Sequence, residues 1–426
     1  MNLLILNAKV SDNRSAFHNK LCDILIQDGI IKDIQSSGKN FFAPIQSKIE
    51  VYDAAKGLLS PVFVDLRADF AEPGNEDRET LDSGSNAAIR GGFGYVGLLP
   101  SAVPAPISRA GISALMASQN KLPITILPYG CISIDREGKE LAELFDMFQA
   151  GAAAFTDADQ PVHHAGLLLR ALMYSNIFKG LVMSRPEEES LSKGGKMHEG
   201  EVSTFLGMKG FPALSEEIRV QRDLELAKYA GSAIHFSCIS TKGSVDLIRK
   251  AKKAGLKVSC DVAIANLAFT DEQLIGYDSN FKVLPPLRSK NHQKALWEAV
   301  ADGTIDAIVS NHKPRTVEEK VLEFDYALHG MSTLETVLPL LIQSKPANIE
   351  WDSILPAISW RALAVLNRDL PAIAVGQKPE FTIYSHNDNW KYQNPLSKSR
   401  NSPLLGKDLK GKVRAVVLKN KIQQII

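Results

Sequence analysis

The residues in this chain that could do chemistry stand at or just beyond the ends of apolar runs: Asp65, Arg67 and Asp69, then Asp157, Arg185, Cys238 and Asn311. Carboxylates and a thiol can ligate a divalent cation. Arginine cannot, because its guanidinium has only N–H donors and stays protonated. An asparagine amide has no useful basicity, so Asn311 cannot act as a general base. If Arg67, Arg185, Asp69 and Asp157 meet at one place, two arginines face two carboxylates, and buried arginines without partners are costly. Arg67, Arg185, Asp69 and Asp157 are therefore expected to form an ion-pair cluster.

The elements that must position these residues are visible as a repeating pattern. Eight strand-like apolar runs, Val62–Leu66, Tyr95–Leu99, Ile124–Cys131, Ala152–Asp157, Gly180–Arg185, Ala233–Ile239, Lys257–Ala263 and Ala307–Asn311, are separated by helix-like stretches. That alternation marks parallel βα units, and eight of them close a barrel whose site lies at the C-terminal ends of the strands. Helices are expected over Glu140–Ala150 and, covered on both sides, over Leu167–Ile177, with Ser215 and Thr241 as N-caps of two others. The long Gly-rich segment Pro186–Pro212 is expected to shape the site. Before and after this middle lie short strands, Leu3–Val10, Cys22–Gln27 and Ile30–Ile34 at one end, Glu380–Tyr384, Val413–Leu418 and Lys421–Ile425 at the other. An Asp28-Gly29 turn in the first set is a hairpin signal. The expected fold is α/β: a TIM-type (β/α)8 barrel over 59–371 with a small β-sandwich-like domain built from 1–58 and 372–426.

Composition excludes several functions. With 49 Lys and Arg against 48 Asp and Glu the formal charge is +1, which provides no long-range field for nucleic acid or an anionic membrane. No apolar stretch is long enough to span a bilayer and the N-terminus has no signal-peptide pattern, so a soluble, cytoplasmic protein is expected. The four cysteines are far apart with no Cys-x-x-Cys pair, which suggests neither disulfides nor structural zinc. His163 and His164 read as capping or surface residues and His235 as a hydrogen-bonded core residue; His312 fits either a structural or a pocket-lining role.

Several ordered segments resemble the dihydroorotase family of the amidohydrolase superfamily. Gly195-Lys196-Met197-His198-Glu199-Gly200 is similar to its Gly-x-Met-Asn-Glu-Gly loop, His235-Phe236-Ser237-Cys238-Ile239-Ser240-Thr241 to His-x-x-His-Val-Ser-Thr, and Lys282-Val283-Leu284-Pro285-Pro286-Leu287-Arg288 to Lys-x-Asn-Pro-Pro-Leu-Arg. Asp65 and Glu72-Pro73-Gly74 match the family's first strand and the turn after it. The resemblance implies hydrolysis or closure of a cyclic amide with one or two zinc ions, held by two first-strand histidines, a fourth-strand aspartate or carboxylated lysine, and histidines ending strands five and six, with an eighth-strand aspartate as base.

Those positions here hold Arg67 and Asp69, then Asp157, Arg185 and Cys238, and Asn311 at the base; only Asp157 is kept. Positions that contact substrate in the family hold Ala71, Ser101 and Leu284, and an alanine cannot form a carboxylate clamp. The resemblance thus implies a dihydroorotase-like protein of pyrimidine biosynthesis without metal or turnover, serving as scaffold or regulatory partner of aspartate transcarbamoylase and commonly dimeric. The alternative is an active cyclic-amide hydrolase with an altered zinc site built from Asp69, Asp157 and Cys238.

Overall fold

The computed structural model describes residues 1–38, 42 and 49–425. Eight strands form its centre: β1 (Phe63–Ala68), β2 (Phe93–Leu98), β3 (Thr125–Gly130), β4 (Ala154–Phe155), β5 (Val182–Ser184), β6 (Ile234–Phe236), β7 (Val258–Ala263) and β8 (Ala307–Val309). They pair in chain order, all parallel. Every residue of β1 is buried, as expected of a parallel strand covered on both faces.

The first and last strands meet mainly through strand-end contacts. Ala68 forms a parallel bridge with His312, and the Asp69 N–H donates to the His312 carbonyl at 2.9 Å. Beneath them the fully buried Asp65 carboxylate accepts from the Ser310 N–H at 2.9 Å and from the Ser310 hydroxyl. Burial, opposed by these hydrogen bonds, moves Asp65 up to about 6.

Helices follow the strands as the pattern requires, with three differences. Only Leu144–Gln149 of the expected Glu140–Ala150 helix is helical, because Leu141 bridges Ser133 and the Ala142 N–H donates to Ile132. Ser215 lies inside the helix Ala213–Ala230, which starts after Pro212, and its hydroxyl exchanges hydrogen bonds with the Glu188 backbone. The helix Ala165–Ile177 is covered on one side only, with Met173, Tyr174 and Ile177 exposed. Thr241 does cap Lys242–Lys253, accepting from the Ser244 N–H. The Pro186–Pro212 segment folds on itself through the paired strands Met197–His198 and Gly210–Phe211 and the short helix Glu201–Leu206.

Strands from both chain ends share one mixed eight-stranded sheet. Leu3–Val10, Leu21–Gln27, Ile30–Ser36, Glu50–Asp53 and Leu58–Pro61 come from the first part, Phe381–Lys391, Asp408–Leu418 and Lys421–Gln424 from the last. Its two tight turns, Asp28-Gly29 and Lys419-Asn420, have both central residues at positive φ, the geometry that matches strand twist. Leu3, Ile5, Ile24, Ile26, Ile383 and Val417 pack its core. The four cysteines are buried and unpaired. Among the described residues no helix is long and apolar enough to cross a membrane.

Candidate functional site

The ends of β1, β4, β5, β6 and β8 converge, and Arg67 occupies their centre. Its side chain is 2% exposed. Nε donates to the Asn311 amide oxygen at 3.0 Å, Nη2 pairs with Asp159 at 2.6 Å, and Nη1 is buried with no partner. The Asn311 amide donates in turn to the Leu284 carbonyl. Asp159 also binds Lys313, so one carboxylate serves two cations.

The expected four-membered cluster is thus replaced by another set of pairs. Asp157 accepts from the Ile132 and Ser133 N–H groups at 2.8 and 3.0 Å and from the Ser133 hydroxyl, fastening β4 to the loop after β3. Asp69 accepts from the Ser101 hydroxyl and the Ala71 N–H. Arg185 pairs with Glu187 at 2.7 Å and donates to the Asp159 carbonyl. The reason is local backbone geometry. Residues two apart on a strand point to one side, but Ala158 has φ +57°, which turns Asp159 into the mouth while Asp157 points back to Ser133. Ala71, Cys238 and Asn311 also take left-handed φ values of +60°, +54° and +48° at their strand ends.

Cys238 is buried near both arginines, and burial pushes its thiol well up despite their pull. Its N–H donates to Asp261 at 2.6 Å. Asp261, within β7, also holds His235 at 2.8 Å, whose other ring nitrogen meets Ser259. His235 is therefore a hydrogen-bonded core residue. His164 caps its helix, accepting from the Leu167 N–H, and His163 is a surface residue paired with Glu189. His312 is structural: 1% exposed, it contacts Glu79 at 3.2 Å and Thr333.

Zinc does not fit the residues at these strand ends. Catalytic zinc needs three N, S or O donors converging with an open fourth position. Among the described residues no group of three His, Cys, Asp or Glu could hold a metal ion, so Asp69, Asp157 and Cys238 do not form a donor set. Arg67 and Arg185 add positive charge where a dication would need negative charge.

Buried cations crowd the segment after β8, Lys320 from within it and Lys282 reaching it from the loop before β8. Lys282 and Lys320 end on backbone carbonyls of Phe324, Asp325, Leu328 and Gly330. Burial first, then neighbouring cations, pushes Lys320 and Lys313 down to about 7 and Lys282 to about 8. Between those values and an ordinary lysine pKa near 10.4 the unfolded chain holds protons that the folded one does not, so stability rises with pH from about 7. Above about 8.5 the buried thiols, whose pKa values are raised, oppose the trend. The urea midpoint is expected to rise from pH 7 to 8.5 and Lys320→Met to flatten that rise. An unchanged slope in the variant would show that the burial cost lies elsewhere.

Sequence reasoning missed Asp159, Lys313, Glu79 and Asp261. For Asp261 a signal existed, since a carboxylate inside an apolar strand must be partnered.

Comparison with known proteins agrees with this architecture. The sequence model of the family described as "Dihydro-orotase-like" matches residues 56–244. A protein named dihydroorotase from Pelotomaculum thermopropionicum is 40% identical over 387 residues, covering 88% of each chain. Another of that name from Geobacter sp. (strain M21) is 35% identical over 426 residues and 99% of each. Among solved structures, the L-hydantoinase (dihydropyrimidinase) of Arthrobacter aurescens superposes with a TM-score of 0.84 at 19% identity, covering 100% of this chain and 97% of its own, which supports the fold alone. A nearly closed parallel barrel with this sheet beside it, and identity of this extent along the chain, place the protein in the dihydroorotase family of the amidohydrolase superfamily.

Proposed function

We propose that the chain is a dihydroorotase-like protein of pyrimidine biosynthesis that does not itself catalyse ring opening or closure, and that it serves as a scaffold or regulatory partner of aspartate transcarbamoylase. One observation carries the first part: the buried Arg67 guanidinium stands at the centre of the strand ends, bonded to Asn311 at the position of the family's base and to Asp159. A permanent cation replaces metal charge there, and an amide replaces the group that would take a proton. The intact barrel core around a site without donors is what a scaffold role requires. Assembly as a homodimer, in the cytoplasm, belongs to the same reading.

The relatives' name, dihydroorotase, favours a second reading in which cyclic-amide hydrolysis continues with an altered metal site. Metal analysis and turnover separate the two. The purified chain is expected to carry far less than one zinc per monomer and to show no hydrolysis of dihydroorotate with or without added zinc. Stoichiometric metal with turnover would overturn the proposal. Co-purification with aspartate transcarbamoylase, and a molar mass measured by light scattering, test the partner and the dimer.

A further inference from the structure

Above Arg67 the barrel mouth opens into a cavity of about 300 Å³. Five loops contribute to its wall: Asp69, Asn75 and Arg78 after β1, Ser101 after β2, Arg136 after β3, Asp159 and Gln160 after β4, and Lys313 and Arg315 after β8. Four of these side chains are cations and two are carboxylates, an excess of two positive charges with Lys313 protonated.

The excess is not relieved by nearby pairs. Asp159 is shared by Arg67 and Lys313, and Glu319 by Arg78 and Arg315. Asp69 is committed to the Ser101 hydroxyl and the Ala71 N–H. Arg136 forms no ion pair among the described residues, and its buried Nε has no hydrogen-bond partner. Asp157, two residues before Asp159, is tied to Ser133 and does not line the cavity.

Cations that share carboxylates keep unspent N–H donors, and low dielectric strengthens their pull on an incoming anion. Lys313 registers the imbalance: burial, then Arg315, with Arg67 and Arg78, holds it down near 7 against the pull of Asp69. Ala71 brings no charge to the cavity wall at a position that contacts substrate in the family, so any charge recognition comes from the cations on the loops after β1, β3 and β8. Their cations surround the cavity from different sides, which suits a compact group with charge on several oxygens better than a planar monocarboxylate clamp.

We propose that this cavity binds a compact dianion, of the phosphate-monoester or small dicarboxylate class, through Arg136, Lys313 and Arg315. The volume is at the small end of ligand pockets, which limits the occupant to a small metabolite. The inference rests on the metal-free reading, because zinc beneath the cavity would change the charge balance.

The test is calorimetric titration of the full chain, after chelator treatment and with zinc measured on the same preparation, using inorganic phosphate in one arm and malonate in the other. Saturable binding of at least one is expected, and the tighter arm assigns the class. Arg136→Gln is expected to weaken it about tenfold or more, the loss of one charge-assisted contact. Because Arg136 forms no ion pair, its removal should leave the melting temperature close to that of the parent. Lys139→Gln, on the same loop but outside the cavity, is expected to bind as the parent does. No saturable binding in either arm, or equal weakening by both substitutions, would overturn the proposal. Zinc retained at one per monomer sinks the metal-free reading, whereas a zinc-free chain that ignores both anions sinks the anion site alone.

Discussion

Asp159→Ala is expected to destabilise the barrel by about 3 kcal/mol, the scale of removing one partner from a buried pair. Arg67→Met is expected to cost only about 1 kcal/mol, even though Arg67 is the more deeply buried of the two. The asymmetry follows from sharing. Alanine at 159 strips the carboxylate from Arg67 and Lys313 together and leaves two cations facing one another. Methionine at 67 leaves Asp159 with Lys313, removes the unpartnered Nη1, and fills most of the volume. Urea unfolding followed by tryptophan fluorescence measures both. If Arg67→Met proved the more damaging, charge balance would not be what organises these strand ends.

Glu79→Ala should be as severe, on the order of 4 kcal/mol, because several buried donors lose one acceptor. Glu79 is fully buried after β1 and accepts from the Lys398 N–H at 3.1 Å, from the Ser397 and Ser83 hydroxyls, and from His312 at 3.2 Å. It thereby ties β1, the end of β8 and the C-terminal segment together. Burial works to raise its pKa, but the hydrogen bonds and charge of His312, with Ser397 and Ser83, bring it below the usual value. A lowered carboxylate stabilises the fold above its unfolded pKa and loses that contribution as pH falls. Thermal melts should therefore show Glu79→Ala well below the parent at neutral pH, with the gap narrowing in acid. A gap that widened in acid would contradict the assignment of the charge to Glu79.

Much of this fold could be read from the order of apolar runs, because each barrel strand is buried on both faces and needs an unbroken hydrophobic stretch. Site positions were legible as well: Arg67 and Asn311 do meet. Which carboxylate answered Arg67 was not legible, since strand alternation treats Asp157 and Asp159 alike and only the left-handed turn at Ala158 separates them. Lys313 and Glu79 were hidden for another reason. Their partners lie on loops far away in sequence, and nothing in a charge next to a proline or in an acidic turn names a partner across the barrel. The shortened helix at Leu144–Gln149 shows the same limit, since helical spacing over Glu140–Ala150 was overridden by one bridge to Ser133.

The Asp65–Ser310 joint has a bearing on how the chain is made. Its two halves lie 245 residues apart. During synthesis β1 emerges early and can pair with β2, but its other edge waits until almost the whole barrel has left the ribosome, and the partner strand of Leu58–Pro61, Phe381–Lys391, follows later still. A buried-type strand with one open edge is a template for wrong pairing. The nascent protein therefore keeps one edge of β1 open for as long as translation up to β8 takes, and slowing elongation between β1 and β8 would lengthen that exposure.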